Sequence, residues 1–162
     1  RPAVQALQDM GMHREVQLVI SGGIRTGADV AKALALGADA VSIGTAALIA
    51  LGDNDPRWEA EYNSLGTTAG AYDDWQEGRD PAGITTQDPE LMARLDPIAA
   101  GRRLRNYLNV MTLEAQTIAR ACGKNHLHNL EPEDLCALTI EAAAMAGVPL
   151  AGTDWVPGAK GF

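Results

Sequence analysis

Val16-Gln17-Leu18-Val19-Ile20-Ser21-Gly22-Gly23-Ile24-Arg25-Thr26-Gly27-Ala28-Asp29 opens the stretch that decides the fold, and Ala40-Val41-Ser42-Ile43-Gly44-Thr45 closes it. A short β-branched run ending in Ser21-Gly22-Gly23 is how a buried parallel strand enters a turn. Thr26 and Asp29 then start a helix through Leu36, with Val30, Ala33 and Leu34 on its apolar face and Gly37 as its stop. Ala40 to Gly44 reads as a second buried strand, and Thr45 leads into an apolar helical turn from Ala46 to Leu51. Strand, glycine turn, helix, repeated once, specifies parallel β/α architecture.

Working outward, Pro2 to Met10 reads as the end of a helix halted by Gly11. Downstream, Asn54-Asp55-Pro56 starts a short helix through Tyr62, after which glycines and prolines punctuate the chain as far as Pro89. Leu104, Tyr107, Leu108, Met111, Ala115, Ile118, Ala119 and Cys122 share one face of a helix from Ala99 to Ala121. Glu131-Pro132-Glu133-Asp134 begins another, with Leu135, Leu138, Ala142 and Met145 as its expected buried face and Gly147 as its end.

The chain has 162 residues with 13 basic and 21 acidic side chains, a net charge of -8. Between Asp53 and Asp96 stand eleven acids against three bases, so the whole imbalance sits in that segment, together with Trp58, Tyr62, Tyr72 and Trp75. With a sequence pI near 4.7 and no basic stripe, a nucleic-acid surface is excluded as a partner. No run of roughly eighteen apolar residues or signal core occurs, so no membrane partner is expected and the location is read as cytoplasmic. Arg1-Pro2 in place of an initiator Met reads as a start in mid-protein. The only cysteines, Cys122 and Cys136, exclude a disulfide scaffold. Cys122, His126 and His128 match no common metal spacing; both cysteines are read as packing residues on apolar helix faces, and no metal site is assigned.

Ser21-Gly22-Gly23-Ile24-Arg25 and Ile43-Gly44-Thr45 lie one β/α unit apart, at the ends of strands expected to be neighbours. Glycine lets backbone approach an anion, and the helix starts behind it aim N–H groups at the same place, so together they describe a phosphate cradle. Singly, each has a plain structural reading: a tight turn at Gly22 and Gly23, a solvated Arg25, close packing at Gly44, a cap at Thr45. The dinucleotide Gly-x-Gly-x-x-Gly and the P-loop are both absent.

The run from Ser21 to Gly52, with Ser-Gly-Gly-Ile-Arg25 and Gly37-Ala-Asp-Ala-Val-Ser-Ile-Gly-Thr45, resembles the last two β/α units of the FMN-binding synthase domain of glutamate synthase. The likeness resumes at Asp80-Pro-Ala-Gly-Ile-Thr-Thr-Gln-Asp-Pro89 and continues through Ala121-Cys-Gly-Lys124 and Asn129-Leu-Glu-Pro-Glu-Asp-Leu135. These last stretches are similar to the stand-alone, N-methylglutamate-synthase-like branch. Gly-Gly-Ile-Arg with a following Gly-Ala-Asp-Ala-Val strand is shared by inosine monophosphate dehydrogenase and the type 2 isopentenyl diphosphate isomerase; Thr-Gln-Asp-Pro tips the choice.

The resemblance implies an α/β fold, the C-terminal portion of a (β/α)8 TIM barrel with a largely helical C-terminal extension. The expected divisions are residues 1–52 as barrel units, 53–96 as an acidic, aromatic-bearing insert and 97–162 as the extension. It implies FMN as cofactor, its phosphate held by Ser21, Gly22, Gly23, Arg25, Gly44 and Thr45; no catalytic residue is assigned, and this polypeptide by itself is expected to be inactive. The implied reaction is oxidoreduction at a CH–NH2 group, making glutamate or N-methylglutamate from 2-oxoglutarate and ammonia or an amine, with glutaminase-type or other synthase subunits as partners. Two other readings stand beside it: a phosphate-binding barrel like inosine monophosphate dehydrogenase, and a non-catalytic subunit whose acidic segment docks a partner. Relatives also carry a three-iron cluster on cysteines, the first just after the Leu-Gly that follows the phosphate helix and the last in a Cys-Pro pair. Asp53 and Asp80 stand at those positions here, so no such cluster is expected.

Overall fold

A computed structural model describes residues 1–66 and 78–158 of the chain. Tyr72 and Trp75, two of the four aromatic residues noted in the acidic segment, lie outside the described residues. In chain order the main elements are α1 (Pro2–Asp9), β1 (Val19–Ser21), α2 (Gly27–Ala35), β2 (Ala40–Ser42), α3 (Thr45–Leu51), α4 (Glu59–Leu65), α5 (Pro89–Met92), α6 (Pro97–Ala121) and α7 (Ile140–Ala146). They fall into two compact units, Arg1–Ser42 with Met111–Phe162 and Ile43–Val110, the division passing through α6.

The expected portion of a (β/α)8 barrel is not the fold of this chain. Among the described residues it is mostly helical, and its strands form one open, two-stranded sheet. β1 and β2 do pair in parallel, in the register Val19↔Ala40, Ile20↔Val41 and Ser21↔Ser42. Three residues apiece make a clip that can neither curl nor close, since closure requires many tilted, staggered strands. Nor are the strands buried: Val19 is 60% exposed, and all of β1 is open to solvent. The β-branched run from Val16 yields a strand only from Val19, because Val16 pairs instead with His13 in a local bridge.

In the first unit α2 packs on the second half of α6. At the helix start read from the sequence, Thr26 and Asp29 form a capping box: Asp29 N–H donates to Thr26 Oγ1, and Thr26 N–H to Asp29 Oδ2. The buried face is Ala31, Leu34 and Ala35, not the expected Val30, Ala33 and Leu34, so the helix is rotated by about one position toward its smallest side chains. Those alanines meet Ala119 and Leu130, with Ile118, Cys122 and Leu127 around them. Cys122 is thus a packing residue as read, whereas Cys136 is exposed and outside any helix.

The helix expected from Glu131 to Ala146 is two elements. A single 3-10 turn, Pro132–Asp134, is followed by extended chain in which Ala137 bridges Leu150, through Ala137 N–H to the Pro149 carbonyl and Ala151 N–H to the Ala137 carbonyl. Thr139 then caps a fresh start for α7 by accepting the Ala142 N–H. The restart changes the helical phase. Leu138 and Met145 are 86% and 80% exposed, and Ala137, Ala143 and Val148 form the small core there.

The second unit has a core that is partly polar: Tyr62, Pro81, Ala82 and Ala100 are buried together with Asp53 and Thr86. Asp55 caps the turn Pro56–Trp58, Asp88 caps α5 and Asp96 caps α6, each carboxylate accepting from the N–H groups just after it. Trp58 is half-buried beneath Arg94, whose guanidinium lies 4.2 Å from the ring centroid while bonding Glu61 and the Pro81 carbonyl. Trp58 therefore belongs to a local packing cluster.

Gly27 sits where α2 touches α6: a Cβ there would collide with the Met111 carbonyl oxygen and the Ala115 nitrogen. Because both obstacles are backbone, Gly27→Ala should lower stability by at least about 2 kcal/mol, measured by chemical denaturation; a change within error would show that the helices can separate without cost.

Candidate functional site

The residues read from the sequence as a phosphate cradle lie in the turns that follow the two strands. Ser21 and Ser42 are register partners, so both turns start from one edge of the clip, at the C-terminal ends of parallel strands. That edge is where α/β sheets bind ligands. Ser21 ends β1 and is exposed. Gly22 and Gly23 follow with φ of 100° and 70°, backbone conformations that favour glycine. A Cβ added at either would meet nothing within 4 Å, so the turn faces open space and is not shaped by packing.

Behind the turn, the start of α2 is already served by the protein's own carboxylates. Asp29 Oδ2 accepts from Arg25 N, Thr26 N and Thr26 Oγ1, each at 3.1 Å, and Glu114 of α6 accepts the Gly27 N–H at 2.7 Å. What the turn offers an incoming anion is therefore the Gly22 and Gly23 backbone, with the exposed Arg25 beside it. Gly44 is the N-cap of α3 with no side-chain cap bond, Thr45 is the first helical residue, and both are exposed; a Cβ at Gly44 would also meet nothing within 4 Å. Ser21, Gly22, Gly23 and Arg25 belong to the first unit, Gly44 and Thr45 to the second.

Asp29 has its pKa lowered from 3.8 to about 2, by its ion pair with Lys32 first and by the Arg25 N–H next. A carboxyl whose folded pKa is depressed adds stability above its unfolded value and loses it as pH falls through the folded one.

The second unit brings together a group that motif reading did not assemble. Tyr62 Oη lies 2.9 Å from Asp53 Oδ1 and 3.0 Å from Asp80 Oδ1, and accepts the Asn54 N–H at 3.3 Å. Burial above all holds this phenol protonated, its pKa pushed far above the ordinary value, with the charges of Asp80 and Asp53 adding to the effect. Asp80 in turn organises the chain after it: Oδ1 accepts from Ala82 N, and Oδ2 from Ile84 N and Thr85 N, at 2.7–3.0 Å. Sequence reading placed Asp53 and Asp80 in cysteine positions but gave no sign that Tyr62 joins them. An aromatic residue within a polar segment was the one available signal.

His126 and His128 stack on each other at 5.3 Å, and His128 Nε2 bonds the Asp39 carbonyl, so the local role of His128 is to pin the β2 entry. No helix among the described residues is long and apolar enough to cross a membrane.

Comparison with known proteins gives the family. The conserved region of glutamate synthase matches residues 1–57 and 76–125, and the chain belongs to that family. It is 85% identical over its whole length to the glutamate synthase large subunit-like protein of Rhizobium meliloti (strain 1021), of which it covers 37%. An archaeal glutamate synthase (NADPH) from Methanocaldococcus jannaschii is 40% identical over 126 residues, 78% of this chain and 22% of that protein. An isopentenyl-diphosphate delta-isomerase from Mycolicibacterium gilvum is 58% identical over 43 residues, 26% of this chain and 13% of that protein. The chain thus spans well under half the length of the curated relatives it matches. No solved structure matches.

Replacing Asp29 by Ala removes the reciprocal cap of α2 and should cost about 1 kcal/mol at pH 7. The difference from the parent protein should be full above pH 4 and shrink as pH falls toward about 2, where the Asp29 carboxylate takes up its proton. Thermal unfolding of both proteins across that range checks it, and a pH-independent difference would remove the carboxylate from the account.

Proposed function

We propose that this chain is the flavin-phosphate-holding part of an FMN-dependent oxidoreductase of glutamate-synthase type. The reaction is at a CH–NH2 group, joining 2-oxoglutarate with ammonia or an amine to give glutamate or N-methylglutamate. The observation that carries the reading is the Gly22-Gly23 turn: positive φ at both residues, open space where side chains would stand, and an origin at the strand edge shared with the turn to Gly44. Family membership supports it independently.

In this reading Ser21 and the Gly22 and Gly23 N–H groups meet the phosphate oxygens, the Arg25 guanidinium supplies positive charge, and Gly44 and Thr45 add backbone N–H and hydroxyl donors. Bound FMN supplies hydride transfer. The residues here supply binding and position: Asp29 and Glu114 hold α2 so that the glycine turn stays aimed at the anion. The substrates, the glutaminase-type or other synthase subunits, and residues 1–52, 53–96 and 97–162 as functional divisions are part of the same proposal.

The intact protein should be yellow as purified and release FMN on denaturation; a colourless protein that takes up no FMN would end the proposal. Gly44→Asp places a carboxylate against the phosphate and should weaken FMN binding at least about tenfold, while Gly44→Asn, equal in size and uncharged, should weaken it much less. Because the space at Gly44 is open, both variants should fold. Equal FMN affinity in parent and Gly44→Asp, measured by fluorescence quenching, would move the phosphate elsewhere.

A further inference from the structure

The second unit is tied together at a point where relatives would carry iron. Asp53 directly follows α3 and its Gly52 cap, Asp80 directly precedes Pro81, and the two are twenty-seven positions apart. One buried hydroxyl spans them, and Tyr62, which bears it, is only 5% exposed.

A three-iron cluster does not fit this donor set. Iron–sulfur clusters are held by thiolates, and the nearest cysteine in the sequence to either position is Cys122, on the other unit. Asp80 is also saturated. A carboxylate offers about four lone-pair sites. Here Oδ1 receives Ala82 N–H and shares the Tyr62 proton with Asp53, and Oδ2 receives Ile84 and Thr85. Turning Asp80 toward a metal would strip the bonds from a buried turn in which Pro81 and Ala82 are closed off from solvent.

We propose that the Asp53–Tyr62–Asp80 hub replaces the iron–sulfur cluster as the cross-link of this segment: the two carboxylates share the single phenolic proton, which joins the chain at 53 to the chain at 80, and no metal is bound there. The inference rests on the glutamate-synthase reading for what it replaces, and on the geometry above for what does the replacing. Tyr62 is a positioning residue: it holds the carboxylate that in turn holds the Ala82–Thr85 backbone, and its own oxygen takes the Asn54 N–H. Arg94 ties the same unit as well, through Glu61 and the Pro81 carbonyl.

The test uses the intact protein and two readouts separate from FMN binding. Iron and acid-labile sulfide are measured in the parent protein and in Asp53→Asn and Asp80→Asn. The expected result is the same content in all three, whether that is zero or reflects a cluster elsewhere; stoichiometric iron and sulfide that vanish from a variant still retaining its FMN would overturn the proposal. In Tyr62→Phe, the amides of Asn54, Ile84 and Thr85 should exchange with solvent about tenfold faster or more, with FMN content unchanged. Exchange equal to that of the parent would show that the phenol is no cross-link. FMN absent from every protein would instead count against the function proposed above, leaving both of these readouts standing.

Discussion

Everything in the first unit depends on one close approach. The α2 backbone at Gly27 lies against the α6 backbone at Met111 and Ala115, a distance that only a residue without a Cβ allows. At that point the Gly27 N–H donates to Glu114, so the same contact that brings the helices together also satisfies an end-of-helix donor. Gly27, Ala31 and Ala35 recur at intervals of four, as do Met111, Ala115 and Ala119, and such i±4 ridges are what two helices interlock. The glycine turn after β1 gains its fixed direction from this seat, because α2 begins only four residues after Gly23.

The second unit solves a different problem. Its segment is strongly acidic and poor in large aliphatic side chains, so apolar burial alone offers little. Carboxylates are used as caps and hubs instead: Asp55, Asp88 and Asp96 at helix starts, and Asp80 as the centre of a turn. Each accepts backbone N–H groups that would otherwise lack partners, which charge-assisted bonds do well. The negative charge of this segment is in part an internal bonding resource, with Asp53 only 7% exposed.

Much of the local structure was legible in residue order. Thr26 with Asp29 and Asp55-Pro56 are helix-start signatures whose chemistry acts within three or four residues, and each starts a helical turn in the structure; Asp88-Pro89, read only as a break, starts one as well. Gly11, Gly37 and Gly123 follow helix ends with positive φ, as their positions implied. What failed were the faces and the sheet. For α2 the larger Val30 was taken as core, yet the α6 contact selected the smaller neighbours. For the last helix one continuous phase was assumed, and the long-range bridge of Ala137 to Leu150 broke it. The barrel portion, implied by the family resemblance, failed because pairing limits each strand to three residues in one open two-stranded sheet among the described residues.

By itself the sequence determined the order of the elements, the caps that start and stop them, the two glycine turns and the family resemblance, because all of these reside in short contiguous motifs. Tertiary structure alone decided that Glu114 reaches the start of α2 and that Tyr62 joins Asp53 to Asp80. Those facts depend on hydrogen bonds and packing between residues far apart in the chain. Local propensity carries no record of such partners, so they emerge only when folding brings them within a few ångströms.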